Sequence, residues 1–277
     1  MSEDQRTQTV ATLLNHWKGQ IARQEVLNPT EPSFDFHDQP LPLRQIKFIE
    51  LSPSRSLRLS VVSAFADLSG FTAYIDEAVK QGAVAEAVKA LYVLRAEFQN
   101  VVEADFGGRK VRFIGDCIHA VLANGSGRTA EPRQSVATAV EAAAALHSSF
   151  AICQTALPNT RRLGLAIGLE HGVTPITRLG IRGVRSVRVA SSVACCQSEK
   201  EQKALLTNGV RVGPRAFGLM PAAVLPLFDR HGSADVLDYD DVCAGSGKVA
   251  AAAATPAAVV RSPVVQSPHL GRAHFRG

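Results

Sequence analysis

The chain has 277 residues, of which 30 are Lys or Arg and 25 are Asp or Glu, giving a formal net charge of +5. This length suits one sizeable domain with flanking segments and is short for two domains with separate cores. Only 6% of the residues are aromatic, and the basic residues form no run interleaved with them, so nucleic-acid binding is not indicated. The five cysteines lack C-x-x-C spacing, which argues against a disulfide framework and a structural zinc site.

The N-terminal part divides into two predicted segments. Residues 1–27 are predicted to form a leader helix, because Leu13, Trp17 and Ile21 recur at helical spacing. Residues 28–56 contain five prolines, which predicts an extended linker. The start is acidic, and no uninterrupted apolar run reaches the roughly 18 residues that a membrane span needs. We therefore expect a soluble, cytoplasmic protein without a membrane partner.

Strand and helix patterns alternate through the main domain, predicted at residues 57–240. In chain order, the predicted elements are a strand at 57–66, a helix at 71–103, strands at 110–114 and 118–123 joined as a hairpin, a helix at 132–156, strands at 163–169, 173–179 and 184–190, a helix at 191–206 and an edge strand at 234–239. This order predicts an α/β (α+β) sandwich with a mixed sheet. Small residues dominate 241–277, and this tail is predicted to be disordered because it cannot bury enough surface.

Two acids stand where the predicted strands end. Asp67 follows the first strand and Asp116 lies in the hairpin turn, so pairing of adjacent strands would bring them together. Two carboxylates about a strand spacing apart suit a pair of divalent cations that bridge phosphate oxygens. Gly70, Phe71 and Thr72 enter a helix whose free N–H groups could bind a triphosphate. Taken alone, an Asp before Ser-Gly at a helix start is more often a helix cap.

Several segments, in order, resemble class III adenylate and guanylate cyclases. The sequence FADLSGFT at 65–72 is similar to the first metal motif of that family, and RFIGD at 112–116 is similar to the second. The sequence AIGLEHG at 166–172, with Gly180 further on, is similar to the glycine-punctuated hairpin that follows in those enzymes. The resemblance covers roughly residues 57–206 and implies a class III cyclase-like sandwich with a mixed, mainly antiparallel sheet covered by helices.

The same resemblance implies the cofactors and the assembly. Asp67, Leu68 and Asp116 would bind two divalent ions, Mn²⁺ or Mg²⁺, and the reaction would close a nucleoside triphosphate into a 3′,5′-cyclic monophosphate with release of pyrophosphate. The enzyme would be a head-to-tail homodimer in which each site takes its metal acids from one subunit and its base- or phosphate-contacting groups from the other. An isolated subunit would be inactive.

Arg112 occupies the position, three before the motif glycine, that usually holds Lys in adenylate cyclases and Glu in guanylate cyclases. Arginine only donates hydrogen bonds and offers a wide planar fork, so it should favour a base edge that presents acceptor oxygens. Uracil, or guanine through its O6, meets this condition better than cytosine or adenine. The alternative is that Arg112 simply pairs with a surface acid or phosphate.

The family's transition-state Asn and Arg have no clear counterpart after Gly180. Arg182, Arg185 and Arg188, with the nearby Ser191 and Ser192, could have taken over the phosphate contacts. Alternatively, activity is lost, or the arginines form a solvated strand edge.

These departures resemble the stand-alone pyrimidine cyclases of bacterial Pycsar anti-phage systems. That resemblance implies UTP as the favoured substrate, CTP as the next, and a product that activates a separate effector protein. The alternatives are a purine cyclase in signalling and an inactive cyclase-like domain that senses a nucleotide. His119 and His171 are interpreted as structural or solvated, and neither is given a catalytic role.

Overall fold

A computed structural model describes residue 8 and residues 11–19, 35–38, 41–180 and 186–245 of the chain. The described strands are β1 Phe36–His37, β2 Ser56–Ser69, β3 Arg109–Ile114, β4 Cys117–Leu122, β5 Gly125–Ser126, β6 Thr129–Ala130, β7 Gly164–Gly180, β8 Ser186–Ala190, β9 Gly209–Val212 and β10 Ser233–Ala234. The described helices are α1 at 11–19, α2 Phe71–Gln81, α3 Val84–Asn100, α4 Pro132–Ala156, α5 Val193–Lys203, α6 Pro214–Phe217 and α7 Tyr239–Gly245.

Eight of the described strands form one sheet, with β2 and β7 at its centre. The order is β10-β9-β7-β2-β4-β3, with β1 paired to β2 and β8 paired to β7. The pairs β7–β9 and β1–β2 are parallel, and the other pairs are antiparallel. The predicted mixed, mainly antiparallel sheet is therefore confirmed.

The two faces of the sheet have separate cores, because side chains alternate along each strand. On β2, Ala66 and Leu68 point into the larger buried cluster, which includes residues of α3, α4 and α7. Val61 points to the opposite face, into a cluster with Leu43 and Phe48 from the segment before β2. This opposite face also carries Cys195 of α5.

Two predicted elements have different bounds in the structure. The single helix predicted at 71–103 is wrong: Gly82 adopts a left-handed conformation with φ of 71° and ends α2, and α3 begins at Val84. Glycine is the residue that most readily ends a helix in this way. The break predicted at Gly172 is also wrong, since β7 runs unbroken and pairs Gly172 with Val61. A Cβ at Gly172 would lie only 3.0 Å from the Ala194 Cβ, so the glycine permits packing rather than a turn.

The packed residues extend beyond both ends of the predicted 57–240 domain. Leu43 and Phe48 are buried in the segment predicted as linker. At the other end, the predicted strand 234–239 overlaps the observed β10 only at Ala234, and the chain continues into α7, whose Val242 is buried. The rest of the leader, much of the linker, and residues 246–277 lie outside the described part.

Helix α4 is the described helix that is long and apolar enough to cross a membrane, and 56% of its most apolar window is buried inside the fold. Val140 and Ala144 on α4 are fully buried in the larger cluster. We therefore assign α4 as the core helix of the sandwich. The hairpin of β3 and β4 and the helix at 132–156 match their predicted bounds within one or two residues.

Candidate active site

The structure brings Asp67 and Asp116 together at one end of the sheet. Ala66 of β2 pairs with Ile118 of β4, so the next residue, Asp67, lies beside Cys117. Asp116 directly precedes Cys117 in the two-residue turn of the β3–β4 hairpin. In this turn Gly115 has φ of 62°, a conformation that glycine adopts without strain. The register thus places the two carboxylates side by side, at the end of β2 and in the adjacent β3–β4 turn.

The electrostatics of the pair favour a bound cation. Burial raises the pKa of both carboxyls, and the charge of Asp67 raises the pKa of Asp116 further. Backbone N–H groups of Asp116 and Leu68 oppose this rise at Asp116, while the charge of Lys203 opposes it at Asp67. Two half-buried carboxylates that repel each other are relieved by positive charge placed between them.

The N-terminus of α2 lies next to this edge and has no side-chain cap. Gly70 is its N-cap with φ of 83°, and Asp67 lies within β2 instead of capping the helix. The cap interpretation of Asp67 is therefore wrong. The first N–H groups of α2, from Phe71 and Thr72, have no partner within the helix and point toward its N-terminal end. This end can accept a negatively charged group.

The C-terminal part of helix α5 also contacts Asp67. This contact was not predicted from the sequence. Gln202 Nε2 donates a long hydrogen bond of 3.4 Å to Asp67 Oδ2, and Lys203 is close enough for its charge to lower the Asp67 pKa. The helix lies close to the sheet because Gly168 has no side chain. Gly168, the first glycine of the AIGLEHG segment, was the sequence signal for this close packing.

Arg112 lies on the same face of the sheet as Asp67 but is separated from it by β4. It pairs with His119, which in turn pairs with Phe65, two residues before Asp67 on β2. Its Nε atom is buried without a hydrogen-bond partner, and it forms no ion pair with any described residue. The alternative in which Arg112 pairs with an acid of its own chain is therefore not realised in the described part.

Arg188, one of the predicted phosphate-contacting residues, lies far from the two acids of the same chain. Arg188 pairs with Arg178 on β7, whereas Asp67 pairs with Ala166. At about 3.3 Å per residue, these β7 positions are on the order of 35–40 Å apart. Ser192 accepts a hydrogen bond of 3.1 Å from the Cys195 N–H as the N-cap of α5. Arg182 and Arg185 lie outside the described residues.

The fold identifies the class of protein. A solved structure described as a class III adenylyl cyclase-like ATP-binding protein from Pseudomonas aeruginosa superposes with a TM-score of 0.75 at 36% identity, covering 80% of this chain and 48% of that chain. The mixed sheet with its flanking helices is therefore the class III nucleotide cyclase fold. No family model matches the sequence.

Sequence relatives narrow the class further. A uridylate cyclase from a Rhizobium species is 43% identical over 233 residues, and one from Pseudomonas aeruginosa is 38% identical over 212 residues. These alignments cover 81% and 75% of this chain but 44% and 41% of the two relatives. The chain is thus a homologue of uridylate cyclases, and it spans less than half the length of the curated relatives that it matches. The predicted resemblance to class III cyclases, and among them to pyrimidine cyclases, is confirmed.

Proposed function

We propose that this chain is a nucleotide cyclase that converts UTP, and less readily CTP, into the 3′,5′-cyclic monophosphate and pyrophosphate. The observation that carries the proposal is the juxtaposition of Asp67 and Asp116 at one edge of a class III cyclase sheet. The choice of a pyrimidine is supported by Arg112 at the base-reading position and by relatives named uridylate cyclase.

The residues at this edge fit a pair of divalent cations, Mn²⁺ or Mg²⁺. The carboxylates of Asp67 and Asp116 are hard oxygen ligands. The third proposed ligand is the backbone carbonyl oxygen of Leu68 beside them. The described residues contain no group of three or more His, Cys, Asp or Glu placed so that it could hold a metal ion, so the other ligands would be water and substrate phosphate, as is usual for Mg²⁺. When bound, such ions lower the pKa of the attacking hydroxyl and neutralise charge on the leaving group.

The protein's own groups would bind and orient the triphosphate. The ribose 3′-oxygen forms a bond to the α-phosphorus, the bond from that phosphorus to the pyrophosphate oxygen breaks, and the hydroxyl proton leaves to solvent. Free N–H groups at Gly70, Phe71 and Thr72 would hold the phosphates at the start of α2. Arg112 would donate to a carbonyl oxygen of the base. Positioning and charge stabilisation account for most of the rate in such phosphoryl transfers.

The active form proposed is a homodimer. The long separation of Arg188 from Asp67 within one chain means that both can contact one triphosphate only if they come from different subunits. Ser192, Arg182 and Arg185 would join Arg188 on the phosphate-contacting side. The proposed setting is the cytoplasm, where the cyclic product would act as a second messenger for an effector protein in anti-phage defence.

Incubation of the purified protein with each of the four NTPs and Mn²⁺, followed by chromatographic separation, tests the proposal. We expect cyclic UMP and an equal amount of pyrophosphate, with less cyclic CMP. A purine cyclic nucleotide as the main product would instead indicate an adenylate or guanylate cyclase. Binding of an NTP without any cyclic product would indicate a nucleotide-sensing domain.

A further inference from the structure

A chain of buried polar side chains runs from α5 across one face of the sheet to His119, the strand partner of Arg112. Ser198 Oγ donates to Ser63 Oγ at 2.8 Å, and Ser63 Oγ is 3.1 Å from His119 Nε2. Ser198 and Ser63 are 0% exposed and His119 is 1% exposed. Polar groups buried this deeply cost free energy unless they are hydrogen-bonded, and such a network holds its members in one arrangement.

The His119 ring is fixed on its face as well as at its Nε2 edge. It stacks on the Phe65 ring with centroids 4.1 Å apart and an angle of 13° between the planes. Its other nitrogen, Nδ1, is buried and has no hydrogen-bond partner. The imidazole is therefore held on two sides and presents one unused polar atom.

Arg112 is the residue that pairs with His119 across the β3–β4 hairpin. Arg112 of β3 and His119 of β4 are directly paired, so their side chains leave the same face of the sheet about 5 Å apart at Cβ. Arg112 Nε is likewise buried without a partner. The charge of Arg112 and, more strongly, burial lower the pKa of His119 to about 4. The imidazole is therefore neutral at pH 7 and does not repel the guanidinium.

We propose that His119 is a positioning residue for Arg112: its Nδ1 atom, through one shared water molecule, fixes the guanidinium so that the terminal amines face the nucleobase. Ser63 and Ser198 in turn fix the ring. This inference rests on the proposed function, because it assigns base recognition to Arg112. An Arg side chain that is free to rotate loses selectivity, since its donors can then reach the acceptors of any base.

Three substitutions of His119 separate the contributions of its ring. His119→Phe keeps the stacking on Phe65 and removes both nitrogens. His119→Asn keeps a polar group near the Nδ1 position, and His119→Gln keeps one near the Nε2 position. We expect the ratio of kcat/KM for UTP to that for CTP to fall about tenfold or more in the Phe and Gln variants, mainly through KM for UTP. The Asn variant should recover most of this ratio.

His147 provides the matched control. It is also a buried histidine, 6% exposed, but it lies on α4, away from Arg112. His147→Gln should lower the unfolding temperature and leave the UTP-to-CTP ratio unchanged. If the His119 variants behave in the same way, with lower stability and the wild-type ratio, His119 is only structural and the inference is overturned.

Equilibrium binding separates this inference from the proposed function. If the wild-type protein makes no cyclic nucleotide from any NTP, the proposed function fails, and the inference is then judged by calorimetric titration with UTP and with CTP in the presence of Ca²⁺. A UTP preference that falls in His119→Phe and returns in His119→Asn supports the inference. Equal preferences in all variants, or no NTP binding by the wild-type protein, overturn it.

Discussion

Gly168 on β7 lies directly beneath Gln202 of α5, so closely that a Cβ on Gly168 would be 2.4 Å from the Gln202 backbone nitrogen and 2.0 Å from the Ser198 carbonyl oxygen. Because these neighbours are backbone atoms, they cannot move without moving α5. We expect Gly168→Ala to destabilise the protein by about 1–3 kcal/mol or more. It should also displace Gln202 from Asp67 and reduce cyclisation. Chemical denaturation and turnover measure the two effects.

Gly218→Ala is the control for Gly168→Ala. Gly218 has φ of −66°, and the nearest atom to its added Cβ is 3.6 Å away. Any residue adopts this backbone conformation, and the contact is an ordinary one. The change should leave stability within about 0.5 kcal/mol and activity unaltered. A loss of stability as large as that of Gly168→Ala would contradict the close-approach argument.

Replacement of either site carboxylate should lower activity and raise the stability of the metal-free protein. Asp67→Asn and Asp116→Asn are each expected to reduce turnover by about 1000-fold, because a lost metal ligand removes several kcal/mol of transition-state stabilisation. Thermal unfolding with and without Mn²⁺ adds a second readout. Mn²⁺ should stabilise the wild-type protein and have little effect on either variant. Asp76→Asn, an exposed acid on α2, is the control.

The pH dependence of stability follows from the raised pKa values of Asp67 and Asp116. A carboxyl with a raised pKa in the folded state binds its proton more tightly there than in the unfolded chain. Its stabilising effect is complete below the unfolded pKa, near 4, and is lost as the pH rises through the folded pKa. The stability gain of the Asn variants should therefore be larger at pH 7 than at pH 4. A gain that is equal at both values would contradict the pKa directions.

Gly70→Ala and Gly82→Ala separate a phosphate-binding role from backbone strain. Both glycines have positive φ, 83° and 71°, and neither would meet an atom within 3.4 Å through an added Cβ. Each substitution should therefore cost about 1 kcal/mol of stability from strain alone. Only Gly70→Ala is expected to raise KM for UTP, because Gly70 stands at the N-terminus of α2 beside the acids. An equal change of KM for UTP in the two variants would contradict a phosphate-binding role for the turn at Gly70.

Mixing two inactive variants tests the composite site. Asp67→Asn and Arg188→Ala each disable one contribution, but a mixed dimer retains one site with an intact acid pair and an intact Arg188. Random reassociation should restore roughly a quarter of the wild-type activity. No recovery of activity on mixing would indicate that each active site takes Asp67 and Arg188 from the same subunit. Full activity of the Arg188→Ala variant alone would show that Arg188 is not part of the active site.

Local sequence patterns were sufficient where each element has its own signal. Asp67 and Asp116 could be predicted to meet, because strand ends and a two-residue hairpin turn fix their positions with little dependence on the rest of the fold. The Ala-rich helix α4 was likewise predicted with its observed bounds. In these cases the periodicity and the turn residues agree with the tertiary structure.

The sequence was insufficient to predict element bounds at glycines, because a glycine can either end an element or allow close packing within it. Gly82 ends a helix, whereas Gly172 lies inside a continuous strand, and only the neighbouring Ala194 explains the second. The contact between Gln202 and Asp67 depends on how α5 crosses β7, which no local pattern encodes. The buried pairing of Ser63 with His119 joins residues 56 positions apart and follows only from strand register.

The unbroken course of β7 connects the two ends of a subunit through one continuous strand. This strand joins Ala166, opposite Asp67, to Arg178, opposite Arg188, without an intervening loop. In the proposed dimer these two ends belong to different reaction centres. A bend of the strand would thus alter the acid pair of one centre and the arginine of the other together. The two centres are therefore expected to open and close in concert.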